Sequence, residues 1–104
     1  MKNYDVIIIG AGPGGIFTAY ELHKLAPEKK VAVLETGAPL AERKCPIDGK
    51  KIKSCIGCKT CAIMNGFGGA GAFSDGKYNI TTEFGGTLHE YIGKEEAVDL
   101  MNYV

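Results

Sequence analysis

Residues 5–15 read Asp5-Val6-Ile7-Ile8-Ile9-Gly10-Ala11-Gly12-Pro13-Gly14-Gly15. The β-branched run favours a strand, and a G-x-G-x-x-G pattern follows it at once, with glycines at positions 10, 12 and 15. In strand–turn–helix units the first glycine permits a tight turn, the second lets the backbone approach a pyrophosphate, and the third lets the helix pack closely on the strand. The stretch therefore predicts a dinucleotide-binding turn whose amides and positive helix end face the phosphates.

The residues after this turn predict a helix and then a second strand. Apolar side chains recur at three- and four-residue spacing up to position 26, and Pro27 ends the pattern. A second strand is predicted over residues 31–35, which read Val-Ala-Val-Leu-Glu. Residues 1–39 would thus form a βαβ unit with parallel strands and a right-handed connection, and the fold class is α/β, Rossmann-like.

Glu35 lies at the end of the second predicted strand, 20 residues after Gly15. Dinucleotide-binding folds carry a carboxylate at about this distance, where it accepts hydrogen bonds from the adenosine ribose. Glu35 is therefore the expected ribose ligand, and its charge would repel a 2′-phosphate. The alternative is an ordinary solvated glutamate at a strand end.

Length and charge restrict the classes of protein to consider. The chain has 104 residues, enough for one small domain, and its 12 basic and 12 acidic side chains cancel. This balance indicates neither a nucleic-acid partner nor a membrane surface. The apolar runs are too short to span a bilayer, and the amino terminus does not resemble a signal peptide, so we expect a cytoplasmic protein.

Residues 40–63 form a lysine- and cysteine-rich segment without helical or strand periodicity, predicted to be an excursion from the sheet. All four cysteines lie here: Cys45 before a proline, and then Cys55, Cys58 and Cys61 as C-x-x-C-x-x-C. Disulfides are disfavoured in a reducing compartment, and zinc knuckles usually come as two separated pairs. The pattern is closer to iron–sulfur ligation, with its Cys-Pro in reversed order. Iron–sulfur, zinc and unligated thiols all stay open.

Residues 64–87 are rich in glycine and include the run G-F-G-G-A-G-A-F-S-D-G-K. Such a segment is costly to order but allows a backbone to lie flat against a ligand. It is predicted to be a second cofactor loop, with the Ser74 hydroxyl and the Lys77 ammonium as polar contacts. A flexible linker is the alternative, although the two phenylalanines in the run are atypical of one.

The fingerprint, Glu35, the cysteine set and the G-F-G-G-A-G-A-F-S-D-G-K run together resemble the amino-terminal part of the FAD-dependent dehydrogenases often labelled NAD(FAD)-utilising. The resemblance covers essentially the whole chain and implies that the cofactor is FAD. It also implies that Glu35 binds the adenosine ribose. The other implied contacts lie in the fingerprint, for the pyrophosphate, and in the glycine-rich run, for the phosphates or flavin: Gly10, Gly12, Pro13, Gly14, Gly15, Gly68, Gly69, Ala70, Gly71 and Ser74.

Members of that family are several times longer than this chain. Residues 88–104 are predicted to begin a helix, apolar on one face from Lys94 onwards, and we expect the rest of a longer chain to complete the domain. Three functions stay open: the FAD-binding portion of a flavin oxidoreductase, a non-catalytic nucleotide- or metal-binding module, and an NAD-binding dehydrogenase fragment. No side chain has a visible partner as a general acid or base, so no catalytic residue is assigned.

Overall fold

The structure is a computed structural model that describes residues 2–104. The chain divides into two compact units, of which the first ends at Ser74 and the second runs from Asp75 to Val104. The division falls inside the predicted loop 64–87. Among the described residues, none of the helices combines the length and the apolar character that a bilayer span requires.

The first unit contains strand β1 (Val6–Ile9), helix α1 (Pro13–Leu25) and strand β2 (Val31–Leu34). The two strands pair in parallel, with Val6 opposite Val31 and Ile9 opposite Leu34. Pro13 is the first residue of α1, where its missing N–H costs nothing and its fixed φ suits a helix. The predicted strand–helix–strand order and the parallel pairing are confirmed. Assignment to the Rossmann-like class stays a prediction.

Strand β2 ends one residue earlier than predicted. Leu34 still accepts a bond from the Gly10 amide at 2.7 Å, but Glu35 leaves the ladder. Its side chain instead accepts hydrogen bonds from backbone amides of the neighbouring loops. At the other end of the sheet, Asp5 accepts a bond from the Lys30 amide at 2.8 Å and so joins the starts of both strands.

The small sheet buries little apolar surface. Side chains alternate along β1, so Val6 and Ile8 are half-buried while Ile7 and Ile9 are exposed, Ile9 to 87%. Within residues 2–104, Ala11 and Ala97 are the only hydrophobic residues classed as buried.

The rest of the first unit is loop with two short 3-10 turns, Leu40–Glu42 and Ala70–Phe73. The second unit contains helix α2 (Leu88–Ile92) and helix α3 (Lys94–Tyr103), which pack against each other. Ala97 in α3 is fully buried. The sequence predicted that a helix begins within residues 88–104, and the structure has two helices there instead of one. They meet at Gly93, whose φ of +87° interrupts the helical backbone.

Candidate functional site

The fingerprint turn joins β1 to α1 with very little space at Gly15. A Cβ built on Gly15 would overlap the Gly10 carbonyl and lie 3.3 Å from Cγ2 of Ile8. Gly12 differs, because a Cβ there would meet no atom within 4 Å. The helix therefore approaches the strand closely at Gly15, as expected of the third glycine of the pattern. At Gly12, the second glycine, the space is open. Pyrophosphate binding in that space stays a prediction.

Glu35 holds three loops through one carboxylate. Its Oε2 accepts a hydrogen bond from the Ala11 amide at 2.7 Å, and its Oε1 accepts bonds from the amides of Gly37 at 2.9 Å and Gly66 at 3.0 Å. These bonds hold the pKa of Glu35 below its ordinary value, and the bond from the Ala11 amide contributes most to the shift. The side chain is therefore ionised at neutral pH. A carboxylate has about four lone-pair sites, so roughly one remains for a ligand.

Ala11 connects the fingerprint turn to the glycine-rich segment. It is only 3% exposed, and its carbonyl accepts a hydrogen bond from the Gly68 amide at 2.8 Å. The next glycine also lies close, since a Cβ on Gly69 would be 3.3 Å from Cα of Gly12 and 3.5 Å from Cδ of Pro13. The Gly68–Gly69 backbone thus packs directly on the turn that carries the fingerprint.

The loop after β2 also touches the glycine-rich segment, backbone against backbone. A Cβ built on Gly37 would overlap the Gly66 nitrogen and lie 2.5 Å from the Asn65 carbonyl carbon. Gly66 has a φ of +122°, which favours glycine, and a Cβ there would be 2.6 Å from Cδ of Arg43. These two positions accept no side chain without a shift of the backbone.

A cavity of about 290 Å³ lies beside this junction. Glu35 forms one part of its wall, and the rest comes from the loop after β2 and the glycine-rich segment: Gly37, Ala38, Pro39, Leu40 and Phe67. A mostly apolar cavity with one charged acceptor at its edge is the usual composition of a small-molecule site.

Arg43 also holds the glycine-rich segment, through hydrogen bonds to its carbonyl groups. Its guanidinium donates to four carbonyl oxygens, with Nε to Ala62 at 2.8 Å, Nη2 to Ile63 at 2.7 Å, and Nη1 to both Phe67 and Gly69 at 2.8 Å. The guanidinium carbon also lies 4.7 Å from the ring centre of Phe73. Arg43 as a whole is only 4% exposed. One side chain therefore joins the end of the cysteine segment to the start of the glycine-rich loop.

The four cysteines line a second cavity of about 130 Å³. All are free thiols, with Cys55 and Cys58 exposed and the other two half-buried. Across residues 2–104, no three His, Cys, Asp or Glu side chains stand close enough together to hold one metal ion. The four predicted ligands therefore line one cavity without being close enough to share a single metal ion, and metal binding stays a prediction.

The remaining predicted cofactor residues lie on both sides of the division between the two units. Ala70 and Gly71 are in the second 3-10 turn, and the Ser74 amide donates to the Gly71 carbonyl at 3.0 Å. Lys77 belongs to the second unit, where its amide donates to Oδ1 of Asp75 at 3.1 Å. The predicted contacts of Ala70, Gly71, Ser74 and Lys77 with a cofactor stay predictions.

Sequence reasoning did not identify Ala11 or Arg43 as parts of this site. Ala11 occupies a variable position of the glycine pattern, so no motif marks it. Arg43 is the single arginine among 12 basic residues. That is a usable signal, because arginine carries five donors in a fixed fork and is less strongly hydrated than lysine, so it is better suited to a buried position.

The chain shows similarity to an oxidase. Over 36 residues it is 53% identical to the sarcosine oxidase subunit beta of Rhodobacter capsulatus, a stretch that covers 35% of this chain and 9% of that subunit. The chain therefore spans a small part of the length of this curated relative. No family model matches the chain. No solved structure matches it either.

Proposed function

We propose that this chain is the FAD-binding portion of a flavin-dependent oxidoreductase, built on a Rossmann-like βαβ unit. The observation that carries the proposal is the junction at Ala11. Its amide is bonded to Glu35 at the end of β2, and its carbonyl is bonded to Gly68. The fingerprint turn, Glu35 and the glycine-rich segment, which are the three features expected to contact a dinucleotide, are therefore neighbours in the first unit. Similarity to an oxidase subunit supports the reaction class.

In this proposal the pyrophosphate lies over Gly12 and the start of α1. The space at Gly12 is open, and the first amides of a helix have no partner within the helix. Those amides and the positive helix end attract phosphate oxygens. Pro13 contributes no N–H, so the donors are the amides of Gly14 and Gly15.

Glu35 would contact the adenosine ribose with what remains of its hydrogen-bonding capacity. Three backbone amides already occupy most of the carboxylate, so a single ribose hydroxyl is the expected partner. The adjacent cavity of about 290 Å³ is large enough for a heterocycle, and Phe67 and Leu40 give it apolar walls. Glu35 thus combines a structural role with a ligand-binding one.

Bound FAD would supply hydride or electron transfer, while the protein supplies binding and orientation. The described residues that would orient the cofactor are backbone groups of the fingerprint and of the Gly68–Gly69 segment. The substrate and the electron acceptor are not identified by these groups.

The test is an equilibrium titration of the 104-residue chain with FAD, followed by flavin fluorescence, with NAD⁺ titrated in parallel. We expect tighter binding of FAD than of NAD⁺. Gly12→Val should weaken FAD binding at least roughly tenfold, because the valine fills the pyrophosphate space. Thr18→Val, which introduces the same side chain one turn into α1, is the matched control. Preference for NAD⁺, or FAD binding unaffected by Gly12→Val, would contradict the proposal.

A further inference from the structure

The cysteine cavity is formed by thiols and apolar groups. Its wall contains all four cysteines of the chain. The other lining residues are Pro46, Ile47, Ile56, Gly57 and Ala62. Metals that select an all-sulfur environment are zinc, copper(I) and the iron of iron–sulfur clusters, because thiolates are soft ligands.

Two sets of hydrogen bonds that involve no sulfur atom bring these cysteines together. Asp48 Oδ1 accepts bonds from the amides of Lys50 at 2.8 Å and Ile52 at 2.9 Å, which closes a turn between Cys45 and Cys55. The Ile52 carbonyl completes the turn by accepting the Asp48 amide at 3.1 Å. This turn shortens the path between the first cysteine and the other three.

Arg43 closes the segment at its base. It lies two residues before Cys45, and its guanidinium bonds to the carbonyls of Ala62 and Ile63, directly after Cys61. The first and last cysteines are therefore held near each other by a buried side chain that does not itself line the cavity. Hydrogen bonds of the Asp48 and Arg43 side chains, none of them to sulfur, thus hold the segment that lines the cavity.

The size of the cavity favours an occupant of several atoms. Its volume is about 130 Å³. A cavity of roughly 150 Å³ in a protein interior holds a molecule as large as benzene, whereas a single water needs only about 10–15 Å³ by the same kind of measure. A cluster of metal and sulfide suits this space better than one ion does.

Spacing and charge favour the same occupant. Cys55, Cys58 and Cys61 have the C-x-x-C-x-x-C spacing of a bacterial ferredoxin run, and the Cys-Pro pair that follows the triplet there precedes it here, at Cys45. Residues 44–61 carry five lysines and one aspartate, and this net positive charge offsets the negative charge of thiolates. We propose that Cys45, Cys55, Cys58 and Cys61 bind a [4Fe–4S] cluster.

The experiment is anaerobic reconstitution of the 104-residue chain with ferrous iron, sulfide and a thiol reductant, followed by desalting. Iron, acid-labile sulfide and zinc are measured, and the reduced sample is examined by electron paramagnetic resonance. We expect about four iron and four sulfide per chain. Bound zinc without sulfide, iron without sulfide, or a chain free of both would each overturn the proposal.

Two variants and a control test the ligand set. Cys58→Ser and Cys45→Ser should each lose most of the iron and the resonance signal, whereas Ser54→Ala, an exposed change in the same loop, should retain both. Full iron and an unchanged signal in Cys45→Ser would contradict a four-cysteine site. The metal content of the unmodified chain decides the proposal even if a variant fails to fold, and it does not depend on FAD binding.

Discussion

At the scale of single residues, Glu35 and Arg43 connect the segments of the first unit. One is an anion that accepts three backbone amides, and the other is a cation that donates to four carbonyls. Both bind the glycine-rich segment, which has few side chains of its own to pack. Ordering such a segment is costly in entropy, and these charge-assisted bonds offset that cost.

The first prediction concerns acid stability. The pKa of Glu35 is lowered from its ordinary value of 4.5 by backbone hydrogen bonds, so the unfolded chain binds the proton more tightly than the folded one. Its contribution is therefore complete above about pH 4.5 and is lost as the pH falls through the lower folded-state pKa. Glu35→Gln should reduce this acid-dependent loss of stability, measured by urea unfolding at a series of pH values.

Asp48→Asn is the control for that experiment. The pKa of Asp48 is also lowered, by hydrogen bonds from Ile52 and Lys50 in the cysteine segment. Its replacement should likewise flatten the acid dependence but leave FAD binding unchanged, whereas Glu35→Gln should weaken FAD binding as well. Equal FAD affinity in both variants would remove Glu35 from the cofactor site.

The second prediction concerns Arg43. Arg43→Met keeps an apolar stem but removes every donor, so four carbonyl oxygens lose a hydrogen bond, and of these Gly69 still accepts the Ala72 amide at 3.4 Å. A buried carbonyl left without a donor costs about 1–3 kcal/mol. These carbonyls are part-buried, so we expect the free energy of unfolding of the first unit to fall by about that much for the set. Lys44→Met, the same change at the exposed neighbour, should shift urea unfolding little. Similar midpoints for the two variants would contradict this role.

At the scale of structural elements, the βαβ order was predictable because each element has a strong local signal. The run from Val6 to Ile9 and the glycines behind it define β1 and its turn, and Pro27 sets the end of α1. The contact between the glycine-rich segment and the fingerprint was not predictable. It depends on backbone bonds between Ala11 and Gly68, which are 57 residues apart and leave no pattern in side-chain type.

The third prediction separates the two candidate sites. Gly12→Val changes only the fingerprint turn, so the chain should lose FAD binding and still take up iron and sulfide at its cysteines. Arg43→Met should lower both, because Arg43 bonds to Ala62 and Ile63 behind the cysteines and to Phe67 and Gly69 in the glycine-rich loop. Flavin titration and metal analysis of the same preparations provide the measurement. Loss of iron in Gly12→Val would mean that the sites are coupled through the fingerprint itself.

At the scale of the whole molecule, the fourth prediction is a broad unfolding transition. Stability in small domains comes mainly from buried apolar surface, and in residues 2–104 only two alanines are classed as buried hydrophobic residues. Ellipticity of the 104-residue chain should therefore fall gradually with temperature, and saturating FAD should raise and sharpen the transition by binding the folded state. A single steep transition without FAD would show that this expectation is wrong.

The contact between Gly37 and Gly66 has a consequence for anyone who later compares this sequence with its relatives. The two backbones touch with no room for a side chain, so selection for the fold alone would keep glycine at position 37. In a library that contains every substitution at position 37, almost none should give a folded chain, even when folding is assayed without FAD. If glycine is invariant at position 37 among relatives, backbone packing alone explains it, and the invariance is not evidence that the residue contacts a ligand.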